Sequence, residues 1–344
     1  MADSNPAISL YLDGELSFQL HRKGFAGTTP NLMIQMHDTS NAITLVIPGY
    51  QMSTKSFNLP LALQGGLLAL FDAESNTRIA VPPSSSQPGK LLVKSGAPNQ
   101  WFDLKLDPRD DFWSHLLTPG HKYEIRWANV PQAYRSDPHQ QSSDSVPIRL
   151  LPRPIKLAIF SPATAPPHFS LTLTPTANIC HLTGSPPFGF KLSVTSQETY
   201  PITICLHKTP LKELHGLEEI AKVVDEEGEE VEWPWGIGCW EGPESFPSDD
   251  AFEEFTPGRV YERMFWLERV NRETANGGEL EEMQTGRRYR VEVGKGLLGA
   301  FGQWRKGGKA ELLQGSEKEK KERWSGSSGQ AILEVSEPFY FETV

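Results

Sequence analysis

Proline and glycine, 28 and 29 of 344 residues, cut this chain into short apolar runs, and that spacing is its strongest constraint. Proline removes a backbone donor and fixes φ, so it ends helices and interrupts sheets. The runs between the breaks alternate apolar and polar residues with the period of a half-buried strand. ISLYLDGELSFQL (8–20) alternates around Asp13-Gly14, a dipeptide that favours a hairpin turn. NLMIQMHD (31–38), ITLVIP (43–48), GLLALFD (66–72), WFDLKLD (101–107), KYEIRWANV (122–130) and VPIRLL (146–151) continue the pattern. Helical periodicity is confined to LKELHGLEEIAKVV (211–224), room for a turn or two, and GSEKEKKERWSG (315–326), whose charges suit a solvated excursion equally well. Short, evenly spaced strands with turn residues between them predict an all-β fold of antiparallel sandwiches.

A length of 344 residues suggests about two domains. LPRPIKLAIFSPATAPP (151–167) concentrates Pro152, Pro154, Pro162, Pro166 and Pro167 around one apolar run. The expected division is a first sandwich over 1–152, a Pro-rich junction over 153–167, and a second sandwich over 168–344 with a long acidic, Trp-rich loop.

The two halves echo each other in order. LMIQMHDTSNAITLV (32–46) matches FKLSVTSQETYPITICL (190–206), an alternating strand, a polar turn and an Ile-Thr strand. GGLLALFDAESNTRIAV (65–81) matches HGLEEIAKVVDEEGEEVEW (215–233), a strand ending at Asp72 or Asp225, a turn and a return strand. LTPGHKYEIRW (117–127) matches MQTGRRYRVEV (283–293), and SVPIRLL (145–151) matches QAILEVS (330–336). The order and local spacing predict two tandem immunoglobulin-like β-sandwiches made by internal duplication.

The second half carries FKLSVTSQETYPITICLHKTPL (190–211) with Thr209-Pro210-Leu211, VVDEEGEEV (223–231), FTPGRVYERMFWL (255–267) with Pro257-Gly258, and TGRRYRVEV (285–293). In these segments it resembles the small β-sandwich in the propeptides of fungal deuterolysin-type metalloproteases, a module also found in many proteins of filamentous fungi. The first half departs from that pattern, with LVIPGYQ (45–51) in place of T-P-L and KSGAPNQWFDL (94–104) in place of the F-x-P-G turn. The resemblance implies a fold and no reaction. The protease's H-E-x-x-H zinc platform is missing from the sequence.

No motif in the sequence points to catalysis or to a cofactor or metal. G-x-S-x-G, the P-loop and a G-x-G-x-x-G after a strand are all absent. His37 and His207 fall near corresponding strands and are expected as sheet-face residues, while Cys180, Cys205 and Cys239 form no C-x-x-C pair. Three cysteines and no Asn-x-Ser/Thr acceptor suit a reducing, cytoplasmic setting. The opening MADSNPAISLYLDGELSF lacks the basic start and apolar core of a secretory signal, and no run reaches the roughly 18 apolar residues of a membrane span.

Net charge of -10 argues against a nucleic-acid binder. The charge is divided unevenly: from Asp225 to Glu254 there are 12 acidic residues and no Lys or Arg, and from Arg287 to Arg323 there are 11 basic and 5 acidic. Such segregation could recruit a basic partner, or the two segments could face each other in the fold. Within the acidic stretch, WPWGIGCWEGPESF (233–246) groups Trp233, Trp235 and Trp240 with Cys239 and Glu241. Tryptophan offers a large apolar ring with one donor, suited to a pocket, an interface or a plug beneath a loop. The expected function is a non-enzymatic cytoplasmic binding or scaffold protein for a protein partner or small apolar ligand, with Trp233, Trp235, Trp240 and Glu241 as contact residues. The alternative is a small-molecule binder or unconventional enzyme of fungal secondary metabolism, with a pocket near the Trp-rich loop.

Overall fold

The computed structural model describes residues 6–28, 30–37, 42–52, 56–83, 89–93, 96, 98–135, 145–212, 217–233, 246–269, 279–326 and 328–344. The chain is predominantly β and divides into two compact units, Met1–Ala165 and Pro166–Val344. Among the described residues no helix is long and apolar enough to cross a membrane.

In the first unit the main strands are β1 (Ile8–Asp13), β2 (Glu15–Phe18), β3 (Asn31–Met36), β4 (Ile43–Ile47), β5 (Leu68–Asp72), β6 (Gly89–Val93), β7 (Asn99–Lys105), β8 (Lys122–Trp127), β9 (Gln132–Arg135), β10 (Ile148–Leu150) and β11 (Ile155–Ile159). They pair as β10-β1-β3-β7, as β2-β11-β8-β5 and as β9-β4-β6, with short strands added at the β7 and β2 edges. Two pairs, β1–β10 and β2–β11, are parallel, and the other pairs of these three sets are antiparallel.

The second unit contains β12 (His168–Pro175), β13 (Ile179–Cys180), β14 (Phe188–Ser196), β15 (Ile202–Cys205), β16 (Ala221–Val224), β17 (Phe252–Phe255), β18 (Val260–Leu267), β19 (Arg288–Val293), β20 (Trp304–Lys306), β21 (Ile332–Val335) and β22 (Phe339–Thr343). They pair as β21-β12-β14-β18, β13-β22-β19-β16 and β20-β15-β17. Here too the first strand of each four-strand set is parallel to its neighbour, β21 to β12 and β13 to β22, and the rest are antiparallel. Each strand of the second unit thus has the partners and directions of its counterpart in the first. The segments paired in sequence fall on counterparts: β3–β4 with β14–β15, β5 with β16, β8 with β19, and β10 with β21.

The likeness reaches single hydrogen bonds. Thr118 N donates to the Tyr123 hydroxyl at 2.8 Å, and Gln284 N donates to the Tyr289 hydroxyl at 2.8 Å, each spanning five residues. The turn before each tyrosine holds a left-handed glycine, Gly120 (φ 90°) or Gly286 (φ 76°). Their amides donate to Ile159 O at 2.7 Å and Thr343 O at 2.9 Å, at equivalent points of β11 and β22.

Each unit is sandwich-like, with one principal apolar core fed by all three sheets. In the first, Leu10 and Ile34, Ile125 and Leu157, and Leu45 meet in one cluster; in the second, Leu171 and Leu192, Val223 and Phe341, and Ile204 do so. These are the inward positions of alternating strands, and burying them is the main favourable term in forming each unit.

Two expectations are corrected. Asp13-Gly14 does not make a hairpin: β1 and β2 continue in one direction and pair in different sheets. Gly14 permits this with φ 137°, and a Cβ there would stand 2.6 Å from Pro30 Cα. The stretch 153–167 is also not merely a junction. Its run IKLAI is β11, with Ile155, Leu157 and Ile159 buried between β2 and β8, so the first unit extends well past residue 152. Prolines on both sides of the run stop it from lengthening and leave its centre free to pair.

Helices are short: α1 (Leu59–Gln64) and α2 (Asp111–Leu116) in the first unit, then α3 (Leu217–Ile220), α4 (Lys295–Gly299), α5 (Lys309–Leu312) and α6 (Glu317–Trp324). The stretch 211–224 yields a single turn and then β16. The charged segment 315–326 forms α6, started by a capping box of Ser316 and Glu319. Trp324 fixes its end against Phe252 (centroids 4.7 Å apart), and Arg305 donates to the Arg323, Ser325 and Gly326 carbonyls.

Candidate functional site

Of the residues expected to contact a ligand, Trp235, Trp240 and Glu241 lie outside the described residues, as does Cys239. Trp233 is 5% exposed and belongs to the core of the second unit with Leu217, Ile220 and Val223. Its ring packs into that core. Among the described residues its indole N–H finds no acceptor, so the ring is held there by apolar burial.

The position of Trp233 follows from the hairpin that delivers it. Asp225 N donates to Glu229 O and Val231 N to Val223 O, each at 2.9 Å. The first unit repeats this ladder with Asp72 N to Thr77 O and Ile79 N to Leu70 O, again at 2.9 Å. Counting out from these bonds, Val231 corresponds to Ile79 and Trp233 to Val81. On the same count Lys222 corresponds to Ala69 and Glu230 to Arg78.

Beside this place the first unit has an open hollow at its surface, while Val81 itself packs against the core. A cavity of about 360 Å3 is lined by Leu63, Gln64 and Gly66 at the end of α1, by Leu68 and Ala69 of β5, and by Arg78–Val81 of the return segment. Leu63, Leu68 and Ala69 are buried, whereas Arg78 is exposed. In the second unit Glu230 takes the Arg78 position and stands 3.7 Å from Lys222. Alanine at position 69 offers Arg78 no such counter-charge. Among the described residues Arg78 carries no ion pair.

The segregated charges partly meet one another. Arg287 contacts Glu227, Lys320 contacts Asp249 at 2.8 Å, and the Glu254 carboxylate accepts from Lys309 N at 2.6 Å. Lys212 holds Asp250 at 2.8 Å; the Lys212 hydrogen bond, then that of Ser248, lowers the Asp250 carboxyl to about 2.

Cys180 and Cys205 are buried, and desolvation raises both thiols, that of Cys180 to about 12. Neither is a thiolate nucleophile near neutral pH. His37 Nε2 lies 2.8 Å from Ser9 Oγ, but Ser9 is only 2% exposed, so the pair ties β1 to the end of β3 and presents no hydroxyl to a substrate. Among the described residues no group of three His, Cys, Asp or Glu side chains is arranged to hold a metal.

The other feature not evident from sequence is a pair of exposed tryptophans. Trp101, on β7, is 59% exposed, and Trp266, on β18, is 50% exposed. These are counterpart strands, β7 beside β3 and β18 beside β14. Trp101 stands in a cross-strand row with Met33 and Tyr11 on the outer face. Trp266 pairs across from Gly189, where a Cβ would come 3.0 Å from the indole.

No protein-family model matches the chain, and no curated protein matches it. A solved biofilm-associated protein (BSP domain) aligns with 96% of this chain at 7% identity and a TM-score of 0.16. The chain spans 58% of that protein's length, and a TM-score so low assigns no fold.

Proposed function

We propose that this chain is a non-enzymatic binding module, two immunoglobulin-like β-sandwiches arisen by internal duplication, that scaffolds a protein partner in the cytoplasm. The duplication is supported by the matched strand order and by the paired Tyr123 and Tyr289 hydrogen bonds. A relationship to the sandwich of fungal deuterolysin-type propeptides accords with a module that carries a fold and no reaction.

The observation that carries the binding role is the placement of Trp101 and Trp266. A half-exposed tryptophan leaves much apolar ring in water, and such rings are enriched among residues that dominate interface energies. Duplicate faces, each bearing one ring, would give a partner two similar footholds, whose linkage multiplies affinity without new contacts. The test is affinity capture with the full chain from extracts of its source cells. A stoichiometric companion is expected, and the doubly substituted Trp101→Ala, Trp266→Ala chain should lose it while keeping its far-ultraviolet dichroism and melting temperature. Recovery of the bare chain at every salt concentration, or a companion indifferent to the double substitution, overturns the proposal.

A further inference from the structure

We infer that the first unit holds a small-molecule site at Val81, which takes a planar aromatic carboxylate of about the size of an indole. The second unit supplies the guide to size. At the matching register position it places its own indole, Trp233, and buries it. The first unit has valine there and a cavity of about 360 Å3, within the roughly 300–1,000 Å3 of ordinary ligand pockets. A ring entering this space meets the apolar surfaces of Leu63, Leu68, Ile79 and Val81.

The charge follows from the same comparison. Arg78 lines the cavity. Its counterpart Glu230 has a lysine nearby, whereas Arg78 pairs across from Phe71 and, among the described residues, carries no ion pair. A guanidinium binds a carboxylate through paired N–H donors, a geometry that also orients the attached ring. An aromatic acid therefore answers both features, the ring to the apolar side chains and the carboxylate to Arg78.

Indole-3-acetate is the probe, titrated into the full chain and followed by methyl chemical shifts and calorimetry. Saturable binding is expected, with the shifts concentrated at Leu63, Leu68, Ile79 and Val81. Val81→Trp, which copies the second unit, should abolish binding. Arg78→Gln, on an exposed side chain whose replacement leaves the core untouched, should weaken it by roughly tenfold or more. Neutral indole should bind more weakly than the acid by a similar factor. Absence of saturable binding at millimolar probe, shifts away from the cavity, or affinity unchanged by Arg78→Gln overturns the inference. None of these variants alters Trp101 or Trp266, so this failure is distinguishable from failure of the scaffold role.

Discussion

The hairpins Asp72–Val81 and Asp225–Trp233 share a ladder register and differ in what they bury. Two ladder bonds match across turns that differ by one residue in length, yet one hairpin ends on a valine beside a cavity and the other on a packed tryptophan. Backbone pairing is set by alternation and turn chemistry, so it can persist through extensive sequence change. Side-chain volume is set residue by residue, and a single position decides between plug and pocket.

The largest test of that difference is Trp233→Ala. Removing a buried tryptophan costs about 3–5 kcal/mol, and no hydrogen bond among the described residues is lost with it. The expected signature is faster amide exchange along β16 and β19, with β5 and β8 of the first unit unchanged. Equal acceleration in both units would mean that they do not behave as separate cores.

Tyr123→Phe and Tyr289→Phe sharpen the likeness. Each leaves one backbone N–H, of Thr118 or Gln284, without its acceptor. A buried unsatisfied donor costs about 1–3 kcal/mol, and these part-buried sites belong near the lower figure. Denaturant titrations should give similar losses for the two variants. A loss in only one would show that the matched geometry hides different energetics.

A smaller effect is expected from Arg305→Ala, which acts on a decoration of the second unit. The guanidinium ties β20 to the carbonyls that end α6 and stacks 5.4 Å from the Trp324 ring. Its contacts are largely exposed, so a loss of about 1 kcal/mol or less is expected, read as faster exchange in α6 with the β sheets unaffected.

Alternation made the strands legible, and the order of turns made the correspondence of β3–β4, β5, β8 and β10 with their counterparts legible too. A period of two says that a segment is a strand but not which sheet it joins, which is why Asp13-Gly14 reads as a hairpin and turns out to be a sheet crossing. Prolines around β11 mark breaks without revealing that Ile155, Leu157 and Ile159 between them are core. The cavity was hidden for a subtler reason. Asp72 to Thr77 is one residue longer than Asp225 to Glu229, so counting from the aspartates sets Trp233 against Ala80. A shift of one residue in a strand reverses the face, and only the hydrogen-bond register restores Val81 as the counterpart. Trp101 and Trp266 were missed because alternation shows which residues share a face but not which face is left uncovered.

The smallest expected effect lies in the two turns themselves. Hydrogen bonds from the Ser75 backbone and hydroxyl, then from Glu74, hold the Asp72 carboxyl below its ordinary 3.8. At Asp225 desolvation pushes upward, but bonds from the Glu229 backbone, Glu227 and Gly228 outweigh it, and that carboxyl too is lowered. A carboxyl depressed by folding stabilises the folded state above its ordinary value, and the contribution is lost as pH falls through the depressed value. Melting temperature should therefore decline below pH 3.8 partly through these turns. The doubly substituted Asp72→Asn, Asp225→Asn chain keeps an oxygen acceptor at each turn but has nothing to protonate there, so its decline should be shallower. Because both carboxylates sit in water, the change in slope should be slight, and each single variant should supply about half of it. If one variant supplies it all, the two turns are alike in geometry and unlike in electrostatics, which would extend to charge the contrast that Val81 and Trp233 show in volume.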